Sequence, residues 1–240
     1  MKVLFIGNSH TYFNDMPKLF SDMCESLSGE KAEVTMLAYS NRTLAWHEKE
    51  YFSIRFALLY GGYDYCVIQQ FGHPTPPREE TEPVFDRLAA LCRRVGTEPV
   101  LFMTWARKDE PEKAGEIRAL YRELAEKHRV PLAPVAELYE EIRTAHPGIE
   151  LYHSDGSHAS PYGTYLIAAT FAALLNRSRD LNRLSDLSND FRVRFRENEL
   201  PSACEDAASV PVRLDPDKAK AIRNAVERAI LGASGERDEA

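Results

Sequence analysis

Val3-Leu4-Phe5-Ile6-Gly7-Asn8-Ser9-His10 opens the chain with four apolar residues, a glycine and three polar residues. A run that is apolar at every position predicts a strand buried on both faces, the condition of a central strand in a parallel sheet. Helical signals follow: Asn14 or Asp15 as a cap, Pro17 in the first turn, and Leu19, Phe20, Met23 and Leu27 at helical spacing. Strand, polar turn and helix make the first half of a βαβ unit.

The rest of the chain repeats that alternation. Val34–Ala38 reads as a second strand, and the segment from Leu44 to Tyr60 as a helix stopped by Gly61-Gly62. Tyr65–Ile68 reads as a third strand, apolar on both faces, and Val100–Met103 as a fourth. Val130–Val135 is a short fifth strand whose prolines suit an edge. Between them, Val84, Leu88, Leu91, Cys92 and Val95 mark one helix, and Ile117, Leu120, Tyr121 and Leu124 another. Ser160-Pro161 caps a strong helix, and Asp215-Pro216 starts the last, over 215–231. The pattern predicts a single three-layer α/β/α domain over 1–240, with a parallel sheet of about five strands in the flavodoxin-like arrangement. Residues 177–214 are polar, Arg-rich and poorly periodic, and read as an irregular excursion.

At 240 residues the chain suffices for one substantial core. A net charge of −7 argues against a nucleic-acid partner, and Arg192-Val193-Arg194-Phe195-Arg196 reads as a solvated strand or loop. No apolar stretch is long enough to span a membrane, and Val3–Ile6 is too short for a signal peptide. Cys24, Cys66, Cys92 and Cys204 form no CxxC pair, and Cys66 and Cys92 lie in apolar patterns. A reducing, cytoplasmic setting is the expectation.

In open parallel sheets ligands bind beyond the carboxyl ends of the strands. Ser9 lies there, although a turn or capping role is its ordinary alternative. Asp155-Gly156-Ser157-His158 is turn chemistry ahead of a helix, and its spacing lets one loop project a carboxylate and an imidazole together. A serine hydroxyl becomes nucleophilic only when a base takes its proton, and an acid orients that base. His153, Asp155 and His158 also read as H-x-D-x-x-H, a donor set zinc accepts, which His10 could join; that reading leaves Ser9 without a role. The first turn has one glycine and no G-x-G-x-x-G, which argues against a nucleotide binder. The residues call for no cofactor.

Gly7-Asn8-Ser9, Asp155-x-x-His158 and the following Pro161-x-Gly163 resemble the blocks of the SGNH, or GDSL-like, hydrolases, over most of residues 1–175. Asn8 stands where most of that family has aspartate. The resemblance implies a flavodoxin-like fold with Ser9 as nucleophile, His158 as general base and then acid, and Asp155 as the orienting carboxylate. It implies a small-molecule ester substrate, such as an acetyl group on a carbohydrate. The middle blocks depart from the family pattern. Asn41 stands where the family has an oxyanion-hole glycine, and asparagine tolerates the left-handed backbone that presents such an amide. The family's asparagine after the third strand is replaced by Gln69-Gln70-Phe71-Gly72-His73. Gln69 is the expected oxyanion donor, with Gln70 and His73 as alternatives; otherwise the glutamines satisfy loop backbone. These departures leave open a non-catalytic module that binds a sugar or acyl ligand on the same fold. Tyr12, Trp105 and His73 are the expected pocket residues. Trp46 suits packing equally well, whereas Trp105 lies beside Arg107 and Lys108.

Overall fold

The first strand, β1 (Lys2–Gly7), buries Val3, Leu4, Phe5 and Ile6 completely. A strand apolar on both faces must have a neighbour on each side and a layer above and below. The structure, a computed structural model, describes residues 1–176, 180–184, 191–194 and 209–232. In chain order the helices and strands are β1, α1 (Ser9–Tyr12), α2 (Met16–Ser28), β2 (Glu33–Ala38), α3 (Leu44–Lys49), α4 (Tyr51–Gly61), β3 (Tyr65–Ile68), α5 (Arg78–Arg94), β4 (Glu98–Phe102), α6 (Ala114–His128), β5 (Leu132–Ala133), α7 (Val135–Ala145), α8 (Pro161–Leu175), β6 (Phe191–Arg194), β7 (Ser209–Val212) and α9 (Pro216–Glu227).

Five strands form one parallel sheet in the order β2-β1-β3-β4-β5. That order, with helical crossovers, is the flavodoxin-like α/β/α class expected from the sequence. β1 lies where the order reverses, so β2 and β3 leave it on opposite sides, and its carboxyl end is where open sheets of this kind bind ligands. Gly7 pairs with Ala38, and Ile6 with Ile68. β3 and β4 are buried along nearly their whole length, whereas β2 and the two-residue β5 are edges.

The described residues gather into two compact units, Met1–Thr11 with Ala32–Glu137, and Tyr12–Lys31 with Leu138–Ala240. The first holds the five-stranded sheet and α3 to α6. In the second, α2 packs on α8 and α8 on α9. Ser160 caps α8, accepting from the Gly163 N–H at 3.2 Å while its own hydroxyl donates to the Glu150 carbonyl at 2.6 Å. Asp215 caps α9 through the N–H groups of Asp217 and Lys218. Among the described residues, no helix is long and apolar enough to cross a membrane.

Three expectations change. The helix expected from Leu44 to Tyr60 is two, broken at Glu50 (φ −80°, ψ 39°); no glycine or proline marks the break, so periodicity reads through it. The fifth strand ends at Ala133, and α7 begins directly after Pro134, burying Val135, Leu138, Tyr139 and Ile142 at i, i+3, i+4 and i+7. The stretch 177–214 is not wholly irregular, because β6 and β7 pair antiparallel within it. The end of the Arg-rich run, Phe195 and Arg196, lies outside the described residues, as does Cys204.

Gly163 shows how tightly the second unit is packed. A Cβ there would lie 2.3 Å from both the Leu151 carbonyl oxygen and the Tyr139 hydroxyl. Gly163→Ala should therefore cost about 1–3 kcal/mol through overpacking. A thermal melt should show a loss of several degrees, and an unchanged melting temperature would contradict the packing.

Candidate active site

Gly7 ends β1 with no room for a side chain, since a Cβ would sit 2.4 Å from both Gln69 Oε1 and Thr11 Oγ1. Asn8, fully buried, then uses every polar atom it has. Its N–H donates to Gln69 Oε1 (2.9 Å), its Oδ1 accepts from the His10 N–H (3.1 Å), and its Nδ2 donates to the Arg42 carbonyl (3.1 Å). The Thr11 N–H closes the turn on the Asn8 carbonyl. Ser9, 8% exposed, opens α1 from this turn at the sheet's order reversal.

The turn needs asparagine and not aspartate. A carboxylate has no hydrogen for the Arg42 carbonyl and would set two acceptors face to face in a half-buried place. His47, 1% exposed, supports the same strand end by donating from Nε2 to the Gly7 carbonyl at 2.7 Å. Burial lowers its pKa, against the opposing effect of that carbonyl.

The two glutamines hold loops. Gln69 Oε1 takes the Asn8 N–H and the Thr11 hydroxyl, and its Nε2 donates to the Gln70 carbonyl. Gln70 Oε1 accepts from the N–H groups of Leu44 and Phe71, and its Nε2 donates to Thr81 Oγ1. Both side chains are buried, at 1% and 2% exposure. Their carboxamides thus satisfy loop backbone, the alternative the sequence left open. Asn41 lies on the exposed β2–α3 loop with φ +60°, the left-handed conformation expected for it. The Asn8 bond to Arg42 ties that loop to the Ser9 turn.

Around this turn the aromatic residues stack in sequence. His10 meets His73 edge-on (4.9 Å between ring centroids) and Trp105 at a tilt (5.0 Å). Trp105, expected at the pocket, is 1% exposed and packs between His10 and Phe102. Trp46 is half-buried at the surface with Tyr39 (5.1 Å) and the Arg42 guanidinium (4.9 Å). His73 lines a cavity of about 300 Å³ beyond β3 and β4, together with Thr75, Arg107, Lys113, Ile117 and Leu120. Tyr12 is half-buried and ends α1.

The second unit carries the acid and the base. Asp155 Oδ1 accepts the N–H groups of Ser157 (2.8 Å) and His158 (2.9 Å), while its Oδ2 accepts from His158 Nδ1 at 2.7 Å. Gly156, at φ +71°, allows the tight return. Phe13 stacks on the His158 ring at 4.5 Å. With Nδ1 donating to Asp155, Nε2 is the nitrogen left to take a proton. Burial opposes ionisation of Asp155, but the hydrogen bonds from the His158 ring and the two amides outweigh it and hold the carboxyl well below the usual carboxylate range. His153 Nδ1 lies 3.3 Å from the same Oδ2. The two histidines thus converge on one carboxylate oxygen, and among the described residues no group of three or more His, Cys, Asp or Glu is placed to hold a metal ion.

Asp155 and His158 are therefore brought together in one unit, while Ser9, Asn41, Gln69, Gln70, His73 and Trp105 belong to the other. Sequence reasoning missed the bracing role of His47. Its signal was a histidine one turn into a helix that begins just after the loop facing the nucleophile.

No family model matches the chain, and no curated protein matches it in sequence. Solved structures do resemble it. Axe2, an acetylxylan esterase from Geobacillus stearothermophilus, aligns at a TM-score of 0.58 and 13% identity over 76% of this chain and 93% of its own. The acetyl xylan esterase AlAXEase aligns at 0.60 and 14% over 73% of this chain and 100% of its own. A member of the lipolytic G-D-S-L family from Veillonella parvula aligns at 0.56 and 12% over 72% and 96%. The chain has the SGNH, or GDSL-like, hydrolase fold.

Asn8→Asp should destabilise the protein by about 1–3 kcal/mol at neutral pH, read by denaturant unfolding; equal stability would mean that the Asn8–Arg42 bond carries nothing. The depressed Asp155 pKa contributes stability that is complete above the unfolded value of about 3.9 and is lost as pH falls through the lower folded value. The stability gap between wild type and Asp155→Asn should accordingly shrink between about pH 5 and pH 2, and a gap independent of pH would contradict the ionised pair.

Proposed function

We propose that this chain is a serine ester hydrolase in which residues 1–240 act as one domain. The observation that carries the reading is the Asp155–His158 pair, its tautomer set by a 2.7 Å bond, in a chain whose first strand delivers Ser9 to the sheet's order reversal. In this reading His158 Nε2 takes the proton as Ser9 Oγ attacks the ester carbonyl. The tetrahedral intermediate collapses to an acyl-Ser9 as His158 returns the proton to the leaving alcohol. Water, deprotonated by His158, then releases the acid. Asp155 stays ionised throughout and supports the imidazolium.

The oxyanion is assigned to the backbone N–H groups of Ser9 and of the Asn41 turn. Gln69 and Gln70 fix where those amides stand. An oxyanion hole short of a side-chain donor turns over more slowly, since one donor accounts for about 10²–10³ in rate.

The resemblance to acetylxylan esterases supports a carbohydrate O-acetyl group as substrate. The cavity beside His73, lined by both apolar and polar side chains, suits the sugar of the leaving alcohol. The described cysteines, Cys24, Cys66 and Cys92, are buried free thiols, and we place the protein in the reducing cytoplasm.

Ser9→Ala should abolish hydrolysis of p-nitrophenyl acetate and of acetylated xylooligosaccharides without changing the melting temperature. Asp155→Asn should lower turnover by about 10⁴-fold by releasing the His158 tautomer. Retained turnover in Ser9→Ala would contradict the mechanism. Binding of the oligosaccharides without turnover by wild type would favour the non-catalytic module.

A further inference from the structure

The outward face of α4 is unlike an ordinary surface. Tyr51, Phe52, Phe56 and Tyr60 are 45%, 72%, 51% and 76% exposed, while Ile54 and Leu58 on the opposite face are buried. Apart from the tyrosine hydroxyls, Ser53 and Arg55 are the polar side chains of the helix, and the Arg55 guanidinium lies 5.5 Å from the Phe56 ring centroid. A helix apolar all round has the composition of a buried helix. At about 200 Å² for a fully exposed ring, the four rings present about 500 Å². That is near the largest patch a typical monomer shows, and such patches are commonly functional. Beside it runs a groove of about 320 Å³ between α4 and α5, lined by Tyr51, Ile54, Leu88 and Leu91 and bordered by Arg94 and the Glu48–Arg87 ion pair.

We propose that this face is covered by a second copy of the chain, with the α4 helices antiparallel about a two-fold axis at Phe56. The spacing is self-complementary. Phe52 and Tyr60 each lie four residues, about 6 Å, from Phe56 on one stripe. A two-fold rotation at Phe56 therefore sets Phe56 on Phe56 of the partner subunit and Phe52 on Tyr60 of the partner subunit. Such an isologous contact is the commonest kind in homodimers. Complete coverage of the three stripe rings in both copies buries about 800 Å², and Tyr51 with the adjoining groove brings the contact to about 1,000 Å², the area at which specific interfaces begin.

The surrounding charges permit the pairing. Glu48 is neutralised by Arg87 and Lys49 adjoins Glu50, so the like charge that the two-fold axis brings together is that of the two Arg55 guanidiniums, each over its own Phe56 ring. A membrane surface fits less well. Interfacial helices carry a Lys/Arg-rich polar face, whereas this one is apolar all round in a chain of net charge −7.

Sedimentation velocity on the full chain tests the proposal. Wild type should sediment at twice the 27.2 kDa chain mass at 10 μM. Phe56→Glu and Phe56→Lys should each be monomeric, with self-association weakened at least about a hundredfold and the far-UV circular dichroism of the folded chain unchanged, because the ring is half exposed in the monomer. An equimolar mixture of the two variants should recover a dimer, since the opposite charges would meet at the axis. A wild type monomeric up to 100 μM would overturn the proposal. So would variants that remain dimeric, a mixture that stays monomeric, or a monomeric wild type that floats with phosphatidylcholine vesicles.

Discussion

The turn after β1 leaves no space for a side chain at Gly7 and no solvent for the polar atoms of Asn8, and the Gln69 carboxamide meets both constraints. Its oxygen fills the place a Gly7 methyl would take and accepts the Asn8 N–H and the Thr11 hydroxyl. Asn8 and Gln70 extend this bracing to the β2–α3 loop and to the start of α5. Three strand ends at the sheet's order reversal are thereby cross-linked by buried amides rather than by apolar contact. A network whose members are all satisfied fixes geometry, and one lost member leaves a buried group unpaired. The position of Ser9 depends on that network.

This bracing explains how the chain departs from the family pattern it resembles. Asparagine in place of aspartate at position 8 supplies the donor that the Arg42 carbonyl requires. A left-handed Asn41 keeps the backbone form that a glycine would adopt. Glutamine after β3 reaches back to the first turn, which moves a side chain from the candidate oxyanion site into the scaffold behind it.

Much of the fold was legible because β1, β3 and β4 are apolar on both faces and the helices between them are punctuated by proline, glycine and capping residues. The strand reading of Val130–Val135 failed in part because Pro134 ends the strand and also precedes a helix, so one apolar run belongs to two elements. The break at Glu50 carries no local signal. At the site, the Asp155–His158 contact follows from a three-residue spacing and was legible. The bracing uses of Gln69, Gln70, His47 and Trp105 were not, since the long-range partners of the first three lie 11 to 61 residues away and the last packs in the core beneath another ring. Asn14 shows the same limit: expected as a cap, it donates instead to the Ala159 carbonyl and Thr164 Oγ1 in the second unit.

The central claim is that Ser9 is a nucleophile activated by His158. Treating the wild-type protein with a fluorophosphonate and mapping the adduct by mass spectrometry tests it without knowledge of the natural ester. The account predicts one adduct, on the peptide that contains Ser9, formed far more slowly when Asp155 is replaced by asparagine. An adduct on another residue, or none on the folded protein, would contradict it.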